Sequence, residues 1–228
     1  MRVSIIIPSY NEQENIEEII RRVRASQIEK EIIIVDDGSQ DGSRETINKL
    51  QAQFPELITI FHEINRGKGA AIHTALSHTS GDLVLIQDAD LEYSPEDYPT
   101  LLAPFDNPAT QVVYGSRNLH RNPRVSLLFY WGGVFLSIYA NVLFGSRLTD
   151  ITTGYKVFRA NIIKEMDLYG NGFEFCAEVT ANLLRRRIPI IEVPISYQPR
   201  SWEEGKKINS LDGFIALWVL TKLKFGGK

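Results

Sequence analysis

The stretch Leu83-Val84-Leu85-Ile86-Gln87-Asp88-Ala89-Asp90 ends an apolar run in two carboxylates two positions apart. Extended backbone turns such residues to one side, so Asp88 and Asp90 would present their oxygens together. Paired hard anions suit a divalent cation: Mg²⁺ keeps several waters and takes one or two protein carboxylates plus substrate phosphates. Glu92 offers a third ligand, directly or through water. The rival role, capping the helix that starts near Ser94, is weaker because Ser94-Pro95 already supplies that cap.

Gly67-Lys68-Gly69 stands between a strand pattern and a helix pattern, where free backbone donors and the helix dipole attract phosphate, and Arg66 and Lys68 add charge. A glycine turn with solvated cations is the plainer alternative. The motif is not a P-loop, since it lacks an earlier glycine at the right spacing and a Ser or Thr after Lys68. Nor is it a dinucleotide fingerprint, because Ile72 stands where the last glycine belongs. Asp36-Asp37-Gly38-Ser39 reads equally as a site or as an ordinary turn, with Asp41-Gly42-Ser43 repeating the chemistry. Arg66 occupies the second histidine position of a zinc-protease motif beginning at His62-Glu63, so His62 is expected to be structural or on the surface. Cys176 reads as a buried structural thiol.

These clusters need a frame that brings them together. Apolar runs rich in Ile and Val at residues 3–7, 31–35, 58–61, 83–86 and 112–113 are continuous rather than alternating, as in strands buried on both faces. Between them Ile16, Ile19, Ile20 and Val23, then Ile47, Leu50 and Phe54, recur at helical spacing. The alternation predicts an α/β fold with a mostly parallel central sheet flanked by helices, doubly wound in its first half. Asn11 with Glu14, and Ser94 with Pro95 and Asp97, read as capping boxes that start helices. Ligands in such sheets bind beyond the carboxyl ends of the strands, and every one of those ends is polar here.

Beyond Arg117 the pattern changes to a loop with Arg121, Pro123 and Arg124, then an apolar segment, residues 127–145, broken only by Ser137 and Asn141. A short strand near 155–158, a helix over 175–187, an extended stretch over 190–197 and a tail helix over 210–225 follow. The tail helix carries Phe214, Leu217, Trp218, Thr221 and Leu223, with Lys222, Lys224 and Lys228 making a basic end. Segment 127–145 is long enough to span a bilayer, but crossing there would put the motifs after it on the opposite side from those before it. Peripheral membrane contact is favoured slightly over complete burial, and Tyr130, Trp131 and Tyr139 suit an interface.

The chain has 228 residues, 43% hydrophobic and 23% charged, which excludes disordered, collagenous and disulfide-stapled classes and suits one domain. A net charge of −3 gives no global reason to bind nucleic acid. The single cysteine forbids an intrachain disulfide, and the residues before Pro8 are too few for a signal-peptide core, so a cytoplasmic location is expected.

Taken in order, Pro8-Ser9-Tyr10-Asn11-Glu12, Val35-Asp36-Asp37-Gly38-Ser39, Asn65-Arg66-Gly67-Lys68-Gly69, Asp88-Ala89-Asp90 and Gly115-Ser116-Arg117 resemble the family 2 glycosyltransferases. Leu148-Thr149-Asp150, Gly154-Tyr155-Lys156, Gly172-Phe173-Glu174-Phe175, Tyr197-Gln198-Pro199-Arg200 and Glu204-Gly205-Lys206-Lys207 narrow the resemblance to the dolichyl-phosphate mannose synthase and polyprenyl-phosphate glycosyltransferase group. The resemblance implies a glycosyltransferase-A fold in one catalytic domain, 1–228. Residues 1–117 would form a nucleotide-sugar-binding half, 118–208 an acceptor-side half and 209–228 an amphipathic helix.

It further implies a nucleotide diphosphate sugar donor, a polyprenyl phosphate acceptor and a divalent cation, Mg or Mn. Pro8, Tyr10, Glu12, Asp36, Asp37, Lys68, Gly69, Asp88, Ala89 and Asp90 would bind the nucleotide sugar, and Asp88, Asp90 and Glu92 the metal. Arg117, Arg124 and Arg200 would face the acceptor phosphate, with Asp88, Asp90, Arg117, Asp150 and Arg200 forming the catalytic set and Glu174 helping to organise the acceptor side. A lipid phosphate is already anionic near neutral pH, so inverting single displacement needs placement rather than a base. Because the chain stops at Lys228, attachment to the cytoplasmic face of a membrane is expected to be peripheral, or to run through an integral-membrane partner or a second copy. The alternatives are a family 2 enzyme acting on a saccharide acceptor in envelope polysaccharide synthesis, and a catalytically silent sugar-nucleotide-binding scaffold. A nucleotidyltransferase is disfavoured, since it would need a glycine-rich first loop and Pro8-Ser9-Tyr10-Asn11-Glu12 has no glycine.

Overall fold

The computed structural model describes residues 1–200 and 210–226. Strands β1 (Val3–Ser9), β2 (Lys30–Asp36), β3 (Ile58–Phe61), β4 (Leu83–Ile86), β5 (Val112–Ser116), β6 (Lys156–Arg159) and β7 (Ile190–Pro194) form one sheet in the order β3-β2-β1-β4-β6-β5-β7. Every pairing is parallel except those of β6, which runs antiparallel to β4 and β5.

The continuous apolar runs divide residue by residue between two layers. Val3, Ile5 and Ile7 of β1 pack with Ile16, Ile19, Ile20 and Val23 of α1 (Ile16–Ala25) and with Ile47 and Leu50 of α2 (Ser43–Gln53). Ile6, Ile33, Val35, Val84 and Ile86 face the other way, onto Ala71, Ile72 and Ala75 of α3 (Lys68–Leu76) and Phe175, Val179 and Leu183 of α7 (Phe175–Arg185). Burial on both faces is what a parallel sheet covered by crossover helices requires.

One expected helix start is corrected. Helix α1 begins at Ile16 after Asn15, whose side chain makes no cap bond. Asn11 instead sits at φ +47°, where its Oδ1 accepts from the Gln40 amide at 2.9 Å. The chain must reverse sharply after β1, and asparagine tolerates that left-handed turn. Ser94 does cap as expected, accepting from the Glu96 amide at 3.3 Å to start a short 3₁₀ turn ahead of α4 (Tyr98–Leu102).

The apolar segment forms α5 (Leu127–Phe144), capped by Ser126 and ended by Gly145 at φ +70°. Its length and mean hydropathy of 1.6 suit a membrane span, yet only Leu136, Ser137 and Ala140 are buried. The chain then doubles back along its own flank: Asn141 exchanges two hydrogen bonds with the Leu148 backbone, and the Ile151 amide donates to Ser137 Oγ. These bonds tie the C-terminal half of the helix to the returning loop and leave its N-terminal half largely exposed. After α6 (Ala160–Lys164) and α7, helix α8 (Ser210–Phe225) packs Ala216 and Leu220 against α5 and α7. The stripe expected on α8 is divided, since Leu217, Thr221 and Leu223 are half-buried while Phe214 and Trp218 are exposed. Glu204, Gly205, Lys206, Lys207 and Lys228 lie outside the described residues.

Candidate active site

A cavity of about 1120 Å³ opens beyond the carboxyl ends of β1, β2 and β4. Its anionic wall holds Glu12, Asp88, Asp90 and Glu92, each met by a donor. Lys68 Nζ lies 2.5 Å from Asp88 Oδ1. Arg200 grips Glu12 through two bonds of 3.0 Å and reaches Asp90 Oδ2 at 3.3 Å. Glu92 accepts from the Arg200 amide and the Tyr197 hydroxyl, both at 2.8 Å.

These charges interact strongly because they are largely shielded from water. Burial, then Asp88 and Glu92, push the Asp90 carboxyl up to about 7, with Arg200 opposing them. Burial works to lower the Lys68 pKa, yet adjacent Asp88 leaves it above its ordinary value. Leu91 between the acidic residues adopts φ +61°, a backbone strain held in place at the site. Gly154 packs over Asp88 so closely that a Cβ there would stand 2.3 Å from Asp88 Oδ2.

Asp37 lines the cavity and shapes the next loop. It accepts from the Arg66 and Gly67 amides at 3.0 and 2.7 Å, and one of its oxygens lies 2.6 Å from His62 Nδ1. His62 is thus a buried structural residue, with its other ring nitrogen 2.9 Å from Thr74 Oγ1. Gly67 begins α3 at φ +99°, and a Cβ there would stand 2.3 Å from Asn171 O.

Across the cavity, Arg117 binds Asp150 through Nε at 2.7 Å and Nη2 at 2.8 Å, and donates to Thr152 Oγ1 at 2.7 Å. Asp150 is buried, which favours its neutral form, but Arg117 wins and holds its pKa below the ordinary value. Both its oxygens are engaged, an arrangement that organises a cation rather than abstracting a proton. Arg124 lies over the Tyr130 ring, 3.8 Å from its centroid, at the cavity wall.

Several expected contacts fall elsewhere. Asp36 is buried behind the cavity wall, where it pairs with Arg44 at 2.9 Å. Gly69 also lies outside the wall, packed against the 170–171 backbone so tightly that a Cβ would stand 2.1 Å from Gly170 O. Glu174 accepts from the Gly172 amide and braces that loop instead of lining the cavity. Among the described residues no three His, Cys, Asp or Glu side chains gather closely enough to hold a metal, so Glu92 does not complete a set with Asp88 and Asp90. Cys176 is half-buried and lines the cavity rather than lying fully within the core.

The family model "Glycosyl transferase family 2" matches residues 4–166. The chain belongs to this family and is a glycosyltransferase. It is 30% identical to the undecaprenyl-phosphate mannosyltransferase of Micrococcus luteus over 93% of this chain and 90% of the relative. A UDP-N-acetylglucosamine–dolichyl-phosphate N-acetylglucosaminyltransferase of Methanococcus voltae is 28% identical, over 98% and 96%. The structure of glucosyl-3-phosphoglycerate synthase from Mycobacterium tuberculosis with Mn²⁺ and UDP superposes with a TM-score of 0.72 at 17% identity, over 99% of this chain and 81% of the other. That likeness shows the fold, glycosyltransferase-A.

Residues outside the expected site set complete this glycosyltransferase's site. Glu192 on β7 accepts from the Thr149 and Asp150 amides at 2.8 and 2.9 Å, setting the carboxylate that holds Arg117. Its signal was a lone charge inside the apolar run Ile190-Ile191-Glu192-Val193. Asn122 staples two loops, donating to Arg117 O and Ile195 O while accepting from the Tyr197 amide. Lys156 is buried in β6 and donates to Ile151 O and Thr153 O at 3.0 and 2.5 Å, closing the turn that carries Gly154. Burial pushes its ammonium below the ordinary pKa. Asn122 has no distinctive spacing, because it acts through partners brought near by the sheet, and Lys156 stands in the Gly154-Tyr155-Lys156 motif although only the fold shows which carbonyls it holds.

Proposed function

We propose that this glycosyltransferase moves a hexosyl group, mannose or glucose, from a nucleotide diphosphate sugar to a polyprenyl phosphate. The observation that carries this reading is one cavity that joins an anionic wall, four arginines and an apolar arm between α5 and α8. Those three chemistries match a cation-bound diphosphate, an acceptor phosphate and a lipid tail. Two relatives named for undecaprenyl phosphate and dolichyl phosphate support it over most of the chain.

Asp88 and Asp90 fit a divalent cation, Mg²⁺ or Mn²⁺: both carboxylates face the cavity, where burial and then the neighbouring carboxylates of Asp88 and Glu92 raise the Asp90 pKa. When bound, such a cation supplies charge neutralisation to the diphosphate leaving group. Pro8, Tyr10, Glu12, Asp37, Lys68 and Ala89 line the adjoining wall and would hold the nucleotide sugar. Arg117 and Arg200, with Arg124 at the rim, would place the acceptor phosphate for inversion at the anomeric carbon. Two polar atoms at this wall, Ser9 Oγ and Arg200 Nε, are buried without a hydrogen-bond partner, as expected of groups that meet a ligand.

The enzyme would work at the cytoplasmic face of a membrane as a peripheral protein. Leu128, Trp131, Phe135, Phe214 and Trp218 expose large apolar surface on neighbouring helices, and Lys222 lies over Trp218 at 4.8 Å. Such a patch suits an interface that is apolar on one side and anionic at its rim. The test is to incubate purified protein and Mn²⁺ or Mg²⁺ with GDP- and UDP-sugars, with and without undecaprenyl phosphate, and to measure nucleotide release. Release that depends on the lipid is expected; lipid-independent transfer to a saccharide would overturn the acceptor assignment.

A further inference from the structure

We propose that Gln87 is a positioning residue for the cation site: its buried side-chain amide clasps the loop 88–93 at both ends and so sets Asp88 and Asp90 relative to each other. The inference rests on the cation assignment above. Gln87 directly follows β4, is fully buried, and donates its backbone N–H to Ile6 O at 2.9 Å. A buried amide is costly unless its hydrogen-bonding groups find partners. Here all of them do. Nε2 donates to Asp88 O at 3.0 Å and to Tyr93 O at 3.4 Å, while Oε1 accepts from the hydroxyls of Tyr98 at 2.8 Å and Tyr155 at 2.7 Å.

Chemistry fixes which way round the amide sits. Backbone carbonyls only accept, so the NH₂ end must face Asp88 O and Tyr93 O, and the two tyrosine hydroxyls donate to the oxygen that remains. The tyrosines therefore hold the amide in the one orientation that closes the loop.

Between the two clasped carbonyls lie Asp90, Leu91 and Glu92. Leu91 adopts φ +61°, and Asp90 Oδ1 accepts from the Glu92 amide at 3.1 Å. A leucine keeps such a backbone only where its surroundings impose it, and a clasp on both ends of the loop does so. The same loop is held from the acceptor side, because the Gly154 amide donates to the Tyr93 hydroxyl oxygen at 2.8 Å and Tyr155 follows in the chain. One buried amide thus ties the acidic loop to α4, through Tyr98, and to the turn after Asp150, through Tyr155. Gln87 does not line the cavity, whereas Asp88 and Asp90 do, so it acts through the backbone that carries them.

Two variants separate positioning from folding. Gln87→Met keeps the length of the side chain and removes both clasp bonds, leaving two hydroxyls buried without an acceptor. Adding Tyr98→Phe and Tyr155→Phe removes those hydroxyls and should regain stability, yet it restores no clasp. Calorimetry measures Mn²⁺ binding at saturating UDP or GDP, and nucleotide binding in chelator, with Tm followed alongside. The expected result is a Mn²⁺ Kd raised about tenfold or more in both variants, with nucleotide affinity in chelator unchanged. The triple variant decides where the single one does not fold. A wild-type Kd in a folded variant, or a Kd that recovers together with Tm in the triple variant, would overturn the positioning role. An equal loss of nucleotide affinity in chelator would overturn it too. A wild type that binds no Mn²⁺ with either nucleotide would instead overturn the cation assignment, and the role of Gln87 with it.

Discussion

Replacing Asp90 with asparagine should make the metal-free protein more stable while removing its response to Mn²⁺. Asp90 is held at about 7 against an ordinary 3.8 by burial and by the carboxylates of Asp88 and Glu92. At about 1.36 kcal/mol per pKa unit, the ionised carboxylate destabilises the folded state by up to roughly 4 kcal/mol. The side chain is 20% exposed and Arg200 lies beside it, so screening lowers the expected gain in Asp90→Asn to about 1–2 kcal/mol. Below the unfolded pKa both states carry the proton and the destabilisation is absent. It grows as pH rises from 3.8, where the unfolded chain ionises first, and is complete above about 7. Scanning calorimetry in chelator should therefore find the variant's advantage small at acid pH and rising to roughly 2–8 °C in Tm at mildly alkaline pH. Added Mn²⁺ should raise the wild-type Tm and leave the variant unmoved. A Tm difference of opposite sign, or one that ignores pH, would refute the electrostatic reasoning; equal stabilisation of both proteins by Mn²⁺ would refute the metal assignment.

Arg117→Met leaves Asp150 buried without its cation, and should destabilise by about 3–5 kcal/mol in urea unfolding. Adding Asp150→Asn should recover much of that stability without restoring transfer. Full activity in the double variant would show that the pair serves only the fold. Trp131→Ser combined with Trp218→Ser should weaken sedimentation with anionic vesicles several-fold while transfer to a two-isoprene phosphate in solution persists. Unchanged vesicle binding would place the membrane-facing surface elsewhere.

Near-neighbour physics explains what could be read directly from the chain. The uninterrupted Ile and Val runs at β1, β2 and β4 are buried strands because both of their faces are apolar, and that property belongs to the segment itself. The polar residues ending those strands were identifiable as a site for the same reason. Helix α5 showed the limit: its composition alone suits core, interface or bilayer, and only the fold shows that Leu136, Ser137 and Ala140 are its buried residues and that Asn141 and Ser137 bind the returning chain. Asp36 and Asp37 are alike and adjacent, but alternation along β2 sent one behind the wall to Arg44 and the other to the Gly67 loop. Gly69, in the middle of a phosphate-loop pattern, proved to be a packing residue because the 170–171 loop lies against α3.

The order of elements, the acidic pair at the end of β4 and the family followed from the sequence by itself. The tertiary structure decided which charges meet. Arg200 pairs with Glu12 across 188 positions, and Arg117 with Asp150 across the whole of α5. Such pairings depend on strand order and on β6 running antiparallel between β4 and β5. A residue's type sets which partners it can take, whereas its actual partner is set by the distances that folding creates.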